Sequence, residues 1–402
     1  MNGISNRVRC AIFASALLAA SGGLADNWQG EATVGTRWFV QEPFDPRQDQ
    51  WDGFVAADLE YFKDWDKRRQ RFAARLYARA DSDDPARNLV DVSELYWRYR
   101  WQRAELSVGV ERVFWGVTEA VHLADIINQS DLSANLDTED KLGQPMLRLS
   151  LTPRWGTLDL FVLPHFRERR FPGSRGRLRG PLQVVAERAQ FESTSGRNHI
   201  DLAARFSHYI GPFEFAIAHF AGTQRQPAFV PLPVSQPSAS IAVAPLYFLT
   251  DQTSIEATYA AGNWLWKLEA VSSREPGGRG SAATGGFEYT WSRAAGTSFD
   301  VGIIAEYQFD ERDTSIILGA DDDIVAGVRI GFNDFAGSEL LALAGRDLGG
   351  DGQLWSLEAS RRIGQQWRAS LEARFFSASA ADDVLTLLAR EDYWQLSLTR
   401  FF

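Results

Sequence analysis

The chain is 402 residues long, 45% hydrophobic and 23% charged, with a mean hydropathy of −0.25. Its 42 Lys and Arg against 52 Asp and Glu give a net charge of −10, which disfavours nucleic acid as a partner because phosphate backbones need a basic surface. One cysteine and five histidines leave neither a disulfide framework nor a dense set of metal ligands, so no metal site and no cofactor is expected.

The first 25 residues carry the three regions of an export signal. Arg7 and Arg9 precede the apolar run from Ala11 to Ala20, and Gly23-Leu24-Ala25 supplies small residues where a signal peptidase cuts, so residues 1–25 are expected to be removed. The run falls short of the roughly 20 apolar residues that a membrane-spanning helix needs. Cys10 leaves with it, and without Arg7 and Arg9 the balance is 40 basic against 52 acidic side chains. Residues 26–402 are expected to form one domain without a disulfide or lipid anchor.

Past Ala25 the dominant pattern has a period of two. Phe299, Val301, Ile303, Ala305, Tyr307 and Phe309 alternate with Ser298, Asp300, Gly302, Ile304, Glu306 and Gln308, the mark of a strand with one apolar and one polar face. Wound as a helix, the same residues would scatter Asp300 and Glu306 among the aromatics and form no apolar stripe. Phe287, Tyr289 and Trp291 repeat the alternation just before, and residues 293–297 join the two runs as a hairpin.

Similar runs lie at roughly 28–41, 53–62, 70–81, 91–101, 104–114, 144–152, 156–164, 198–210, 212–222, 252–261, 263–273, 281–292, 297–309, 323–333, 337–346, 353–363, 366–377 and 391–402. About eighteen strands result, with sixteen as an alternative; the count could err by two, most readily at 181–197 and 240–261, where Val184-Val185 and Pro245-Leu246-Tyr247-Phe248 could form or extend strands. The joints alternate in length. Even-to-odd joints are tight, as at Gln102-Arg103, Gly211 and Gly262, whereas most odd-to-even joints are long and polar, as at 42–52, 82–90, 115–143, 165–197, 223–251, 310–322 and 378–390. Loops sorted by parity predict an all-β, transmembrane, antiparallel outer-membrane barrel, with short turns in the periplasm and long loops outside. Half of each strand is polar, so hydropathy windows pass over such a wall.

The last run supports this. Trp394, Leu396 and Leu398 share a face with Phe402, and a terminal Phe on an amphipathic strand resembles the signal read by the outer-membrane barrel assembly machinery; Arg400 departs from that pattern. Trp38, Trp97, Trp101, Trp264, Trp291, Trp367 and Trp394 lie near strand ends, where interfacial aromatics belong.

The third external loop, 115–144, is the candidate functional element. It carries Glu119, Asp125, Asp131, Asp137, Glu139 and Asp140 against one base, Lys141, together with the apolar string Val121, Leu123, Ile126 and Ile127. A connection this long and apolar is expected to fold into the lumen rather than stand in water. Opposite it, the register points Arg37, Arg75, Arg79, Arg98, Arg100, Arg148, Arg368 and Arg374 inward, with lumen acids such as Asp58, Glu60, Glu105, Glu111 and Glu372 as alternative partners. A cationic wall facing an acidic loop would set a transverse field and select among charged solutes. His199, His208 and His219 fall on neighbouring strands, yet His208 shares the apolar face of Ile200, Leu202 and Phe206, so hydrolase chemistry is not expected.

Phe114-Trp115-Gly116-Val117-Thr118-Glu119, followed by Ile127-Asn128-Gln129-Ser130-Asp131 and Lys141-Leu142-Gly143-Gln144-Pro145, resembles uncharacterised outer-membrane porin-like β-barrel proteins of Gram-negative bacteria. The local match covers about thirty residues and the barrel-level match the whole exported chain. The position of the loop is similar to the inward third loop of general porins, and the strand count is similar to that of alginate-export barrels. The resemblance brings no catalytic residues and implies no substrate; the barrel, the acidic loop and the arginine wall together predict an outer-membrane channel, surrounded by lipid, for passive diffusion of small polar or charged solutes. An exporter working with periplasmic partners is the alternative, and sequence alone does not separate a homo-oligomer contact from a lipid-facing strand.

Overall fold

A computed structural model describes residues 27–233, 241–312, 322–379 and 384–402; the signal-peptide reading of 1–25 and parts of the loops at 223–251, 310–322 and 378–390 lie outside them. The described strands are β1 (Trp28–Phe39), β2 (Trp51–Trp65), β3 (Gln70–Asp81), β4 (Leu89–Arg100), β5 (Ala104–Glu111), β6 (Gln144–Leu151), β7 (Thr157–Leu163), β8 (Leu182–Val184), β9 (Gln190–Phe191), β10 (Asp201–Ile210) and β11 (Phe213–Thr223). They continue with β12 (Ala228–Pro231), β13 (Ile241–Tyr247), β14 (Leu249–Ala261), β15 (Trp264–Glu275), β16 (Gly278–Trp291), β17 (Asp300–Asp310), β18 (Asp322–Gly331), β19 (Glu339–Asp347), β20 (Gln353–Ile363), β21 (Trp367–Ser377) and β22 (Tyr393–Phe401).

Eighteen of these form one closed antiparallel ring. β1 to β7, β10, β11 and β14 to β22 each pair with the next in that order, and β22 closes onto β1 from Glu31↔Phe401 to Phe39↔Tyr393. These are the eighteen runs expected from the alternation. The two ambiguous segments do form strands, but outside the wall. β13 lies parallel to β8 and β9 and antiparallel to β12 in a separate small sheet, so the count of the wall stays even. Asp201 rather than Asn198 starts β10, because Gly196–Asn198 turns as a 3-10 segment.

Closure without edges satisfies every strand's backbone within the wall, which hydrocarbon surroundings demand. Leu76, Leu95, Val108, Leu147, Leu160, Leu202, Ile217, Ile255, Leu268, Ile303, Val328 and Leu396 are exposed on the outer face of successive strands. A soluble protein with such a continuous apolar belt would aggregate, whereas a lipid-facing wall requires it. The inner face carries Arg37, Asp58, Arg79, Glu111, Glu256, Glu269, Glu306 and Arg374, all buried. One bulge, between Arg75 and Leu76 opposite β4, shifts the alternation so that Asp91 and Glu94 both face inward while Val92 and Leu95 are exposed outside.

Two glycines show why the chain needs them. Gly262 takes φ +61 in the two-residue turn between β14 and β15, a conformation that a Cβ would penalise. Gly30 sits under the terminal ring: a Cβ there would meet Phe402 at 2.6 Å, while the two backbones exchange hydrogen bonds of 2.9 and 3.0 Å. Phe402 thus closes the seam between first and last strands, and the Arg400 guanidinium lies 5.6 Å from the Trp367 ring centroid.

Candidate functional site

The segment between β5 and β6, residues 112–143, enters the ring rather than lying on its rim. Its apolar residues decide this. Trp115, Ala124, Ile126 and Ile127 pack with the inward side chains Met146, Phe161, Leu163, Ala203, Ala218 and Phe220 of β6, β7, β10 and β11. Val121 and Leu123, the other half of the apolar string, are only partly buried. Farther along, Leu136 packs with Phe39, Leu178, Phe376, Leu388 and Tyr393.

Backbone N–H groups of the incoming arm cannot stay unpaired once buried, and inward glutamates of the far wall accept them. Gly116 N donates to Glu256 on β14 at 2.6 Å. Val117 N, Thr118 N and Ala124 N donate to Glu269 on β15 at 2.7, 3.0 and 3.0 Å, joined by the Thr118 hydroxyl at 2.6 Å. Glu119 N and Ala120 N donate to Glu306 on β17 at 2.7 and 3.0 Å.

The returning arm meets the other side of the ring. Arg79 of β3 pairs with Asp131 at 2.9 Å, and Arg374 of β21 pairs with Asp137 at 2.9 Å. Arg37 of β1 donates to the Ala134 carbonyl at 3.2 Å, and Asn135 donates to Glu372 at 2.8 Å. Tyr393 donates to the same glutamate. β15 and β17 each lie eight strands from β3, one in either direction around a ring of eighteen, so the segment contacts both halves of the wall.

The six acids of the segment are placed differently from one another. Asp131 and Asp137 meet arginines of the wall as above. Glu119 reaches the opposite arc, pairing with Arg329 at 2.7 Å and Lys267 at 3.4 Å. Asp125 pairs within the segment with Lys141 at 2.9 Å; burial raises its pKa and Lys141 opposes the shift. Glu139 contacts His122 at 3.4 Å, and Asp140 is exposed.

Among the arginines, Arg37, Arg79 and Arg374 touch the segment. Arg75 pairs with Asp58 at 2.8 Å, Arg98 and Arg100 both pair with Glu105 at 3.2 and 2.8 Å, and Arg148 pairs with Glu111 at 2.9 Å. Arg368 lies 5.2 Å from the Phe401 ring centroid. The wall cations are thus divided between the inserted segment and acids of the wall itself.

His122 gives the segment a titratable contact. Burial by itself would depress its imidazole, but Glu139 and Glu269, 3.4 and 3.9 Å away, outweigh that and hold the pKa up at about 9. A histidine raised from 6.5 stabilises the docked state fully below its unfolded pKa, and that contribution is lost as pH rises through about 9. Protease nicking of the segment in the folded barrel is therefore expected to increase between pH 7 and pH 10, and His122→Gln is expected to flatten that dependence; a wild-type profile as flat as the variant's would contradict it.

Several contributors are absent from the sequence reading. Glu256 and Glu269 do not appear there, and Glu306 appears only as a polar-face residue; all three are acids at inward positions of mid-wall strands, a signal that strand parity does contain. The segment after β7 carries an arginine-rich run that a charge scan would find: Arg167 pairs with Asp91 at 2.7 Å, Arg177 with Glu391 at 2.8 Å and Arg179 with Asp45 at 3.0 Å. Arg169 is buried against Gln129, with burial pushing its pKa down to about 10, still protonated at neutral pH. These pairs fasten a cover of long loops over that end of the ring. His208 and His219 lie on outward positions of β10 and β11, and His219 bonds Thr253, while His199 bonds Asp201 at the rim. Among the described residues no group of three or more His, Cys, Asp and Glu could hold a metal ion.

No family model matches the sequence, and no curated protein matches it. Among solved structures the chain is similar to Wzi, an outer-membrane protein involved in group 1 capsule assembly in Escherichia coli and a carbohydrate-binding β-barrel, with 8% identity over 100% of this chain and 88% of that one and a TM-score of 0.54. It is also similar to OccK3 (OpdO) of Pseudomonas aeruginosa, with 11% identity over 94% of this chain and 96% of that one and a TM-score of 0.52. A mutant porin of Rhodopseudomonas blastica aligns with 12% identity over 93% of this chain and 99% of that one, at a TM-score of 0.44. At these identities the likeness is one of fold, a closed outer-membrane barrel.

Proposed function

We propose that the chain is an outer-membrane channel for passive diffusion of small polar or charged solutes, exported to that membrane, surrounded by lipid and inserted by the barrel assembly machinery. The observation that carries this reading is the double anchoring of segment 112–143: glutamates of β14, β15 and β17 hold one arm, and Arg79 and Arg374 hold the other. An element held from both sides of the lumen sets its width, and the unequal charges around it set its preference. The reading assigns no catalytic residues. Planar-bilayer recording in a salt gradient tests it. Replacing Arg75, Arg79 and Arg98 with neutral residues is expected to shift the reversal potential toward cation permeability, because their partners Asp58, Asp131 and Glu105 remain; an unchanged potential would count against selectivity at this wall.

A second reading is a barrel that handles a surface polymer with periplasmic partners. It is supported by the arginine-fastened cover over the long-loop end and by the fold likeness to a carbohydrate-binding barrel. Purified barrels that insert into bilayers but pass no ions would favour it over the channel.

A further inference from the structure

At the short-turn end the inner wall opens into a cavity of about 440 Å³ lined by Arg68, Arg69, Arg71, Arg98, Arg100 and Asp64, with Phe62 beneath them. Its size lies within the range of about 300–1,000 Å³ typical of small-molecule sites. Its charge is out of balance. Arg71 is matched by Asp64 through two bonds of 2.7 and 2.8 Å, and Arg69 by Asp66 at 2.7 Å. Arg98 and Arg100 must share one carboxylate, Glu105, at 3.2 and 2.8 Å, and Glu111 is 3.9 Å from Arg98 but is taken at 2.9 Å by Arg148. Arg68 is exposed and forms no ion pair with any described residue.

The backbone that brings Arg68 there is unusual. Asp66, Lys67 and Arg68 take φ of 52, 55 and 65 in succession, with no glycine among them. Left-handed conformation is disfavoured for residues with a Cβ, and a run of three is kept only where the surroundings hold it. The turn thereby adds Arg68 and Arg69 to a lining in which arginines already outnumber carboxylates.

We infer that this cavity is a binding site for the multivalent oxyanion group of a soluble solute, phosphate or polycarboxylate. Guanidinium forks bind such groups through paired, charge-assisted hydrogen bonds; Arg68 has no ion-pair partner among the described residues, the Arg98 Nε is buried without a hydrogen-bond partner, and Arg100 is the exposed one of the two arginines that share Glu105. The guanidiniums belong to inward positions of β3 and β4 and to the turn between β2 and β3, whereas the outward positions at this level are aromatic, with Phe72 and Trp97 exposed. A lipid headgroup approaching from the bilayer meets those rings, so the ligand comes through the water of the lumen mouth. The site deepens the channel reading by naming an anionic solute, but binding at it does not depend on conduction.

The test is equilibrium dialysis of inorganic pyrophosphate against the full-length barrel in a zwitterionic detergent. Saturable binding that weakens with added salt is expected. It should weaken by about tenfold in Arg68→Gln/Arg100→Gln, since charge-assisted contacts are lost. Arg361→Gln removes the same charge from an outward position at the same end and should leave binding unchanged. Arg68→Gln alone orphans no carboxylate, so a folded variant is available if the double variant is unstable, and it should show a smaller loss in the same direction. Absent binding, or equal loss in Arg361→Gln, would overturn the inference. Displacement of pyrophosphate by phosphatidylglycerol added to the micelles would assign the site to a lipid headgroup and overturn it as well. Pyrophosphate binding by a barrel that passes no current would leave the site standing and remove the channel.

Discussion

Glu269→Ala is expected to free the incoming arm of the inserted segment while the barrel wall stays folded. The carboxylate is fully buried and accepts three backbone N–H groups and one hydroxyl from residues 117, 118 and 124. Removing it leaves those donors without partners in a place that water reaches poorly, at a cost of roughly 3–5 kcal/mol for the docked state. Glu269→Gln keeps one acceptor oxygen but turns an NH2 group toward a former donor, so its effect should fall between wild type and alanine. Limited proteolysis reads the outcome directly: rapid cleavage within 112–143 in Glu269→Ala, with the heat-modifiable mobility of the folded barrel retained. Protection equal to wild type would mean that the other anchors hold the segment without this one.

The second large effect concerns the wall. Ile303 lies on the outward face of β17, four residues from Phe299 and four from Tyr307 on the same face, and is exposed, so it occupies the middle of the apolar belt. Ile303→Arg is expected to cost roughly 2–4 kcal/mol of folding stability in lipid. Its neighbour Ile304 points inward, as the alternation predicts, but it is packed at 1% exposure rather than bathed in lumen water. A charge there is therefore costly too, because it would be packed rather than solvated. Ser370, inward and half-buried on β21, is the better tolerated control. Equal loss from Ile303→Arg and Ser370→Arg, measured by urea-dependent folding into vesicles, would contradict the assignment of faces.

The wall was legible because two solvents act on every strand. Lipid outside and water or ion pairs inside impose a period of two that survives even where single positions deviate, as at Arg400, which rests on Trp367. Val184 and Pro245 show the limit of that reasoning: local composition marks them as strand residues, but only long-range pairing places them in a cover sheet instead of the ring. The inserted segment was legible in part for the same reason. Ile126 and Ile127 had to leave water, and the acids beside them needed cations.

What the sequence could not supply was the pairing across the lumen. Asp131 meets Arg79 fifty-two positions away, while Glu119 meets Arg329 on the opposite arc; nothing local distinguishes these two acids. Nor does local pattern say that glutamates, which repel an acidic loop as charges, would hold its backbone by hydrogen bonds. Glu256, Glu269 and Glu306 do so because the arm presents N–H groups to them rather than its carboxylates.

Single-channel conductance of the full barrel and of a variant lacking residues 118–138 tests the central claim most directly. The deletion removes the bonds from Thr118 and Ala124 to Glu269 and from Glu119 and Ala120 to Glu306, and the contacts to Arg79 and Arg374, leaving the ring of eighteen strands. A stable conductance well above that of the intact chain, in barrels that remain folded, is the predicted result. An unchanged conductance in a folded deletion variant would contradict the claim that this segment sets the width of the pore.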